Sequence, residues 1–124
     1  MATKEESEYQ LEKEIREGNK AIEIFRGNRI EGDTVILKIT GSRIHISECH
    51  FHSSWSWLMP VVIKIAELKH PVNIYISHIQ KAVYIYSMKS DHYLVRVADA
   101  RHTPIQNTWL AVVEFLKNYN TQKL

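Results

Sequence analysis

Between residues 53 and 69 the polar positions Ser56, Pro60, Lys64 and Glu67 recur at intervals of four, four and three. That spacing collects them on one narrow stripe of a helix and leaves every other direction apolar, so this segment is expected to be buried on most of its circumference and to be the core element. Pro60 cannot donate to a helical ladder, so the helix is expected to begin late, near Ser56, or to be kinked in its first turn. His70-Pro71 should end it. A second helix is announced by Thr103-Pro-Ile-Gln106, which combines a capping residue, a proline at the first helical position and a glutamine three residues past the cap. Ile105, Trp109, Val112, Val113 and Leu116 then mark one face as far as Tyr119, with Phe115 and Tyr119 widening it. Residues 5–17 hold good helix formers but only Tyr9, Leu11 and Ile15 as large apolar side chains, and Gly18-Asn19 reads as their stop. A helix there is weakly anchored.

The remaining pattern is that of strands. Residues 21–25 alternate as a first strand, Arg26-Gly-Asn-Arg29 and Gly32-Asp33 mark turns, and residues 34–40 form a second strand. Gly41-Ser42 links it to residues 43–47, where Ile44 and Ile46 share one face and Arg43, His45 and Ser47 the other. Three more strands read out of residues 72–77, 82–87 and 93–98, and their short links imply antiparallel neighbours. The expected architecture is α+β: a largely antiparallel sheet of five to six strands, two helices packed on one face, and the weakly anchored N-terminal helix. Residues 1–18 would be that polar helix and residues 19–124 a single domain.

Length and charge narrow the functional classes. At 124 residues the chain has room for one core but not for separate cofactor and substrate domains, which excludes most large dehydrogenase, kinase and barrel architectures. Sixteen Lys and Arg against fourteen Asp and Glu is too even a balance for a protein that coats nucleic acid, so no long nucleic-acid partner is expected. The charge is unevenly placed: residues 1–18 carry six acids and three bases, a net −3, which leaves residues 19–124 at +5. Such a body attracts a small anion. The single cysteine, Cys49, excludes an internal disulfide, the N-terminus lacks the basic start and apolar run of a signal peptide, and residues 55–68 are too short an apolar stretch to span a bilayer. The expectation is a cytoplasmic protein with no membrane partner.

Two segments, Ser54-Trp-Ser-Trp-Leu-Met-Pro-Val-Val-Ile-Lys-Ile65 and Ala111-Val-Val-Glu-Phe-Leu-Lys-Asn-Tyr-Asn120, resemble a family of small uncharacterised proteins of Bacteroidota and their phages. Those proteins pair a similar tryptophan-rich helix start with a similar C-terminal helix. The resemblance implies a phage or mobile-element setting, with host-cell cytoplasm as the place of action, and it transfers no catalytic residue.

Candidate chemistry is sparse. The four glycines are separated singles at turns, so no phosphate-cradling loop is present, and no cofactor is expected. His50-Phe-His52 has the spacing to put two imidazoles on one side of a strand, but two ligands do not complete a zinc site, and no metal is predicted. The His-x-Ser elements His45-Ile-Ser47 and His52-Ser-Ser54 lie too close together to face each other across a cleft as in two-histidine phosphoesterases. No glycine-flanked serine elbow is present, and Cys49 reads as a small buried filler, so no catalytic residue is assigned. Tyr75, Tyr84 and Tyr86, by contrast, alternate with Ile74, Ile76, Val83 and Ile85, so the tyrosines should emerge from one sheet face while the aliphatic side chains enter the core. Tyrosines on a sheet stack bases, and Lys81, Arg96, Arg101 and His102 would supply charge for phosphates. The same face would equally serve as a subunit interface in a homo-oligomer. Trp55 and Trp57 lie about 200° apart on an ideal helix, so one should sit at a rim, where with His50 and His52 it would flank an anion at the helix start.

These features are those of a small non-enzymatic binding protein that sequesters an anionic nucleotide, for instance a host immune second messenger. The main alternative is a protein-interaction module or inhibitor of a host protein, contacting it through the acidic N-terminal helix or the tyrosine face. A third reading is a small metal-dependent or phosphoester hydrolase using His50 and His52.

Overall fold

The computed structural model of the chain describes residues 4–69, 72–77, 79–90 and 92–122, so the helix stop expected at His70-Pro71 lies outside the described residues. The chain divides into two compact units, Met1–Cys49 and His50–Leu124.

The first unit opens with α1 (Lys4–Phe25). This helix runs through Gly18-Asn19 and absorbs residues 21–25, which are therefore helix and not the expected strand. Gly18, Ala21, Ile22 and Phe25 fall at i, i+3, i+4 and i+7 and are all buried. Burying side chains such as Ile22 and Phe25 contributes about 1.5–3 kcal/mol each, which outweighs the roughly 1 kcal/mol that a mid-helix glycine costs. Asn19, buried as well, donates its Nδ2 to the Cys49 carbonyl at 3.3 Å. The helix stops one signal later, at Gly27, whose φ of +92° few other residues adopt. There the Asn28 N–H donates to the Glu23 carbonyl and the Gly27 N–H to the Ile24 carbonyl, both at 3.0 Å, the paired bonds of a Schellman ending.

Three short antiparallel strands follow, β1 (Arg29–Glu31), β2 (Thr34–Ile36) and β3 (Arg43–His45), in that order in one sheet. β1 lies where only a turn was expected. Glu31 pairs with Thr34, leaving Gly32-Asp33 as a two-residue hairpin loop with Gly32 at φ +61°. β2 ends at Ile36 and does not continue to residue 40, because residues 37–42 close a loop in which the Leu37 N–H donates to Ser42 at 2.8 Å and the Gly41 N–H to Leu37 at 2.7 Å. β3 stops at His45, where Ile46–Glu48 winds into a 3₁₀ turn.

The second unit contains α2 (Trp55–Ala66), β4 (Val72–Ser77), β5 (Ala82–Ser87), β6 (His92–Ala98) and α3 (Pro104–Gln122). Its three strands form an antiparallel sheet in sequence order, with α2 along β4 and α3 along β5 and β6. The α+β class is as expected, but the described strands make two three-stranded sheets where a single sheet of five to six was anticipated. Alternation marks strands and says nothing of partners, and the short strands of the first unit pair only with each other. In the second unit Val72, Val83, Ile85 and Val95 are buried, as are Trp109, Val112 and Leu116 of α3.

α2 corrects another expectation. It begins at Trp55 and contains Pro60, yet it buries only Leu58, Val61, Val62 and Ile65. Trp55, Met59 and Ile63, at i, i+4 and i+8, are exposed. A helix along the edge strand of a small sheet turns one stripe inward, and the apolar composition of the other directions does not change that. No helix among the described residues is long and apolar enough to cross a membrane.

Candidate functional site

The sequence Ala82-Val-Tyr-Ile-Tyr-Ser87 alternates strictly, and as the central strand β5 it divides the sheet into two chemically different faces. Val83 and Ile85 pair with Ile76 and Ile74 on one side and with Val97 and Val95 on the other, so the aliphatic residues share a face. The opposite face carries two cross-strand rows with rings, beyond a row of small residues, Ser77, Ala82 and Ala98, at the strand ends. Tyr75 stands beside Tyr84, which stands beside Arg96; Asn73 stands beside Tyr86, which stands beside Tyr93. With strands about 4.8 Å apart, each row is roughly 10 Å wide, close to the length of one purine base.

The rings touch one another and leave much of their surface open. Tyr93 lies 5.4 Å from Tyr84 and 5.2 Å from Tyr86, and the Arg96 guanidinium sits 5.9 Å above the Tyr84 ring. Tyr75 is 55% and Tyr93 64% exposed, while Tyr84 and Tyr86 are half-buried. The Tyr84 hydroxyl donates to Gln80 Oε1 at 3.0 Å, which fixes that ring's polar end. The face thus offers aromatic plates, one cation and an amide, Asn73.

Tyr93 was not among the residues expected here. β6 is irregular opposite Ile85 and Tyr86, where the register shifts, so simple alternation counted back from Arg96 puts Tyr93 on the wrong face. Its signal was its position in a strand beside a tyrosine-rich one.

The other expected ligand residues lie elsewhere. Lys81, at φ +51° in the turn before β5, and His102, just ahead of α3, line a cleft of about 220 Å³ at the end of β4 and β5 together with Ile76, Ser77, Ala82 and Val83. Arg101 is exposed but committed to Asp99, donating from Nε to Oδ1 at 3.1 Å and from Nη2 to Oδ2 at 3.0 Å. Those bonds hold the Asp99 carboxyl down at about 2 and raise the guanidinium further.

At the start of α2 the two histidines sit in a turn and not on one side of a strand. The His50 ring packs edge-on against Trp57 at 5.4 Å, whereas His52 lies 6.3 Å from Trp109. Trp55 is the indole at the rim; Trp57 is half-buried between His50 and Phe51. Burial, then the neighbouring His50, pushes the His52 pKa below its ordinary value. Among the described residues no three His, Cys, Asp or Glu side chains are grouped to hold a metal ion.

The His-x-Ser element at His45 has a local role. His45 caps the 3₁₀ turn: its Nδ1 accepts from the Ser47 N–H at 3.1 Å while its own N–H donates to Glu48 Oε2 at 2.9 Å. Cys49 is fully buried, and burial together with the nearby Glu23 carboxylate pushes its thiol up to about 12. A thiol so placed is a poor nucleophile. No protein-family profile, curated protein or solved structure matches the chain.

Proposed function

We propose that this protein binds a small anionic nucleotide on the tyrosine face of β4–β6, stoichiometrically and without chemical conversion. The observation that carries the reading is the two-row array of Tyr75, Tyr84 and Arg96 beside Asn73, Tyr86 and Tyr93, open on one face of a sheet whose other face is the core. A base laid on such rings gains about 1–3 kcal/mol per stacked contact and an arginine adds a charge-assisted bond to phosphate. An array two strand spacings across accommodates one or two bases. In the phage or mobile-element setting that the tryptophan-rich motif implies, occupancy is itself the function: a host-made signalling nucleotide held by this face is withdrawn from its receptor in the cytoplasm. Mass spectrometry of small molecules released by denaturing freshly purified protein tests this. A nucleobase-bearing anion released in near-stoichiometric amount supports the reading, and its loss in a Tyr75→Thr, Tyr93→Thr variant assigns it to this face.

A protein partner is the second reading, favoured by the exposed stripe of Trp55, Met59 and Ile63 on α2 and by the exposed residues 8–14 of α1. Pull-down from host lysate after nuclease treatment separates the two: a protein retained at one-to-one ratio, in place of a released nucleotide, supports this version.

A further inference from the structure

The cleft holding Lys81 and His102 is a site separate from the tyrosine array. It lies at the end of the strands: Ile76 and Val83 of its lining belong to the aliphatic face, Ser77 and Ala82 are in phase with Tyr75 and Tyr84, and none of the tyrosines lines it. Ala82, Val83 and Asn107 are buried beneath it, and Ile76, Lys81 and Pro104 are exposed at its edge. Asn107 is a structural clamp and is fully used: its Nδ2 donates to the carbonyls of Lys81 at 3.2 Å and Asp99 at 3.1 Å. With both amide hydrogens spent, its Oδ1 is the acceptor facing His102 Nδ1 at 3.2 Å, so that ring nitrogen carries the hydrogen and the imidazole is fixed in place. His102 Nε2 lies 3.6 Å from Asp99 Oδ2, and the same carboxylate is balanced by Arg101.

Lys81 is the cation of the cleft without an ion-pair partner among the described residues. Beside it Pro104 opens α3, whose positive end adds to the potential at the same place. Apart from Ser77, His102 and Asn107 the walls are aliphatic. A cavity of about 150 Å³ holds benzene, so about 220 Å³ holds one ring and a small head group but not a whole nucleotide. One free ammonium matches one negative charge, whereas a phosphate calls for several donors. We infer that this cleft binds a small carboxylate with a single-ring apolar body, the ring against Ile76 and Val83 and the carboxylate on Lys81.

Amide NMR titration of the full chain with benzoate, benzamide and inorganic phosphate tests the assignment. Benzoate should shift residues 81–83 and 100–107 saturably, half-saturating at or below about 1 mM, the range open to a ligand of this size. Lys81→Asn keeps a residue tolerant of positive φ, removes the charge, and should weaken benzoate about fivefold or more. Ala100→Phe, at the exposed rim, should block the mouth and abolish the shifts while leaving the spectrum otherwise dispersed. The Tyr75→Thr, Tyr93→Thr variant should bind benzoate as the parent does. No saturable shift at about 10 mM benzoate, equal affinity for benzamide or for phosphate, or an unchanged Lys81→Asn titration overturns the proposal.

Discussion

The Cys49 thiol lies wholly buried beside the Glu23 carboxylate, which is itself fully buried and held by Arg26 at 2.6 Å. A thiolate formed there would lose its hydration and meet a like charge, which is why the thiol is pushed up to about 12. An aromatic disulfide reagent should therefore react with the native protein more than about a hundredfold slower than with the chain in denaturant. Similar rates in the two states would show that Cys49 is open. His52 provides the pH signature of the second unit. Its folded-state pKa is depressed from the ordinary 6.5, so the unfolded chain takes up this proton more readily. Its protonation leaves stability unaffected well above pH 6.5 and lowers stability as the pH falls below that value, levelling off once the depressed folded value is passed. Asp33, paired with Lys20, and Asp99 act in the opposite state and a lower window, below 3.8, where protonation removes their stabilising partners. Urea midpoints measured from pH 7.5 to 5 should fall less steeply in His52→Gln than in the parent. A parallel slope would mean that His52 is solvated as an ordinary histidine.

Among the elements, α3 shows what a strong local signal is worth. Thr103 caps it in both directions: its N–H donates to Gln106 Oε1 at 2.8 Å, and its Oγ1 accepts from the Gln106 N–H at 3.3 Å. The motif is readable in Thr103-Pro-Ile-Gln106 because capping is chemistry between residues three apart. Replacing Thr103 by Ala should cost about 1 kcal/mol in equilibrium unfolding with the fold unchanged, and a loss below a few tenths would show the cap to be redundant. The end of α1 was not readable in the same way. The chain offers Gly-Asn twice, at Gly18-Asn19 and Gly27-Asn28, and either dipeptide makes a good stop. Which one is used depends on whether the apolar phase of Ala21, Ile22 and Phe25 finds something to bury against, a tertiary fact absent from the local pattern. Of the three-residue strands, β2 and β3 were expected but drawn too long, and β1 was missed, since so short a run carries less than two periods of alternation. β4 and β5, at six residues each, were legible to the residue.

At the scale of the whole molecule, the residues suspected of binding anions separate onto three surfaces. Tyr75, Tyr84, Tyr86 and Arg96 share the open sheet face, Lys81 and His102 the cleft at the strand ends, and Trp55, His50 and His52 the start of α2, while Arg101 is tied to Asp99 and joins none of them. The first group was legible because period-two alternation fixes which face a side chain takes; of its neighbours in the array, Tyr93 was lost to a register shift, and Asn73 was not singled out. The separation of the others was not legible, because turn residues such as Lys81 and Arg101 have no periodicity that points them anywhere. Binding through the tyrosine array makes a definite demand on solution behaviour. In calorimetric titration of the full chain at high micromolar concentration against a panel of cyclic and linear nucleotides, at least one should give saturable one-to-one heat, weakened about tenfold or more by Tyr75→Thr with Tyr93→Thr. Absence of heat with every nucleotide, or an affinity that this double substitution leaves untouched, contradicts it.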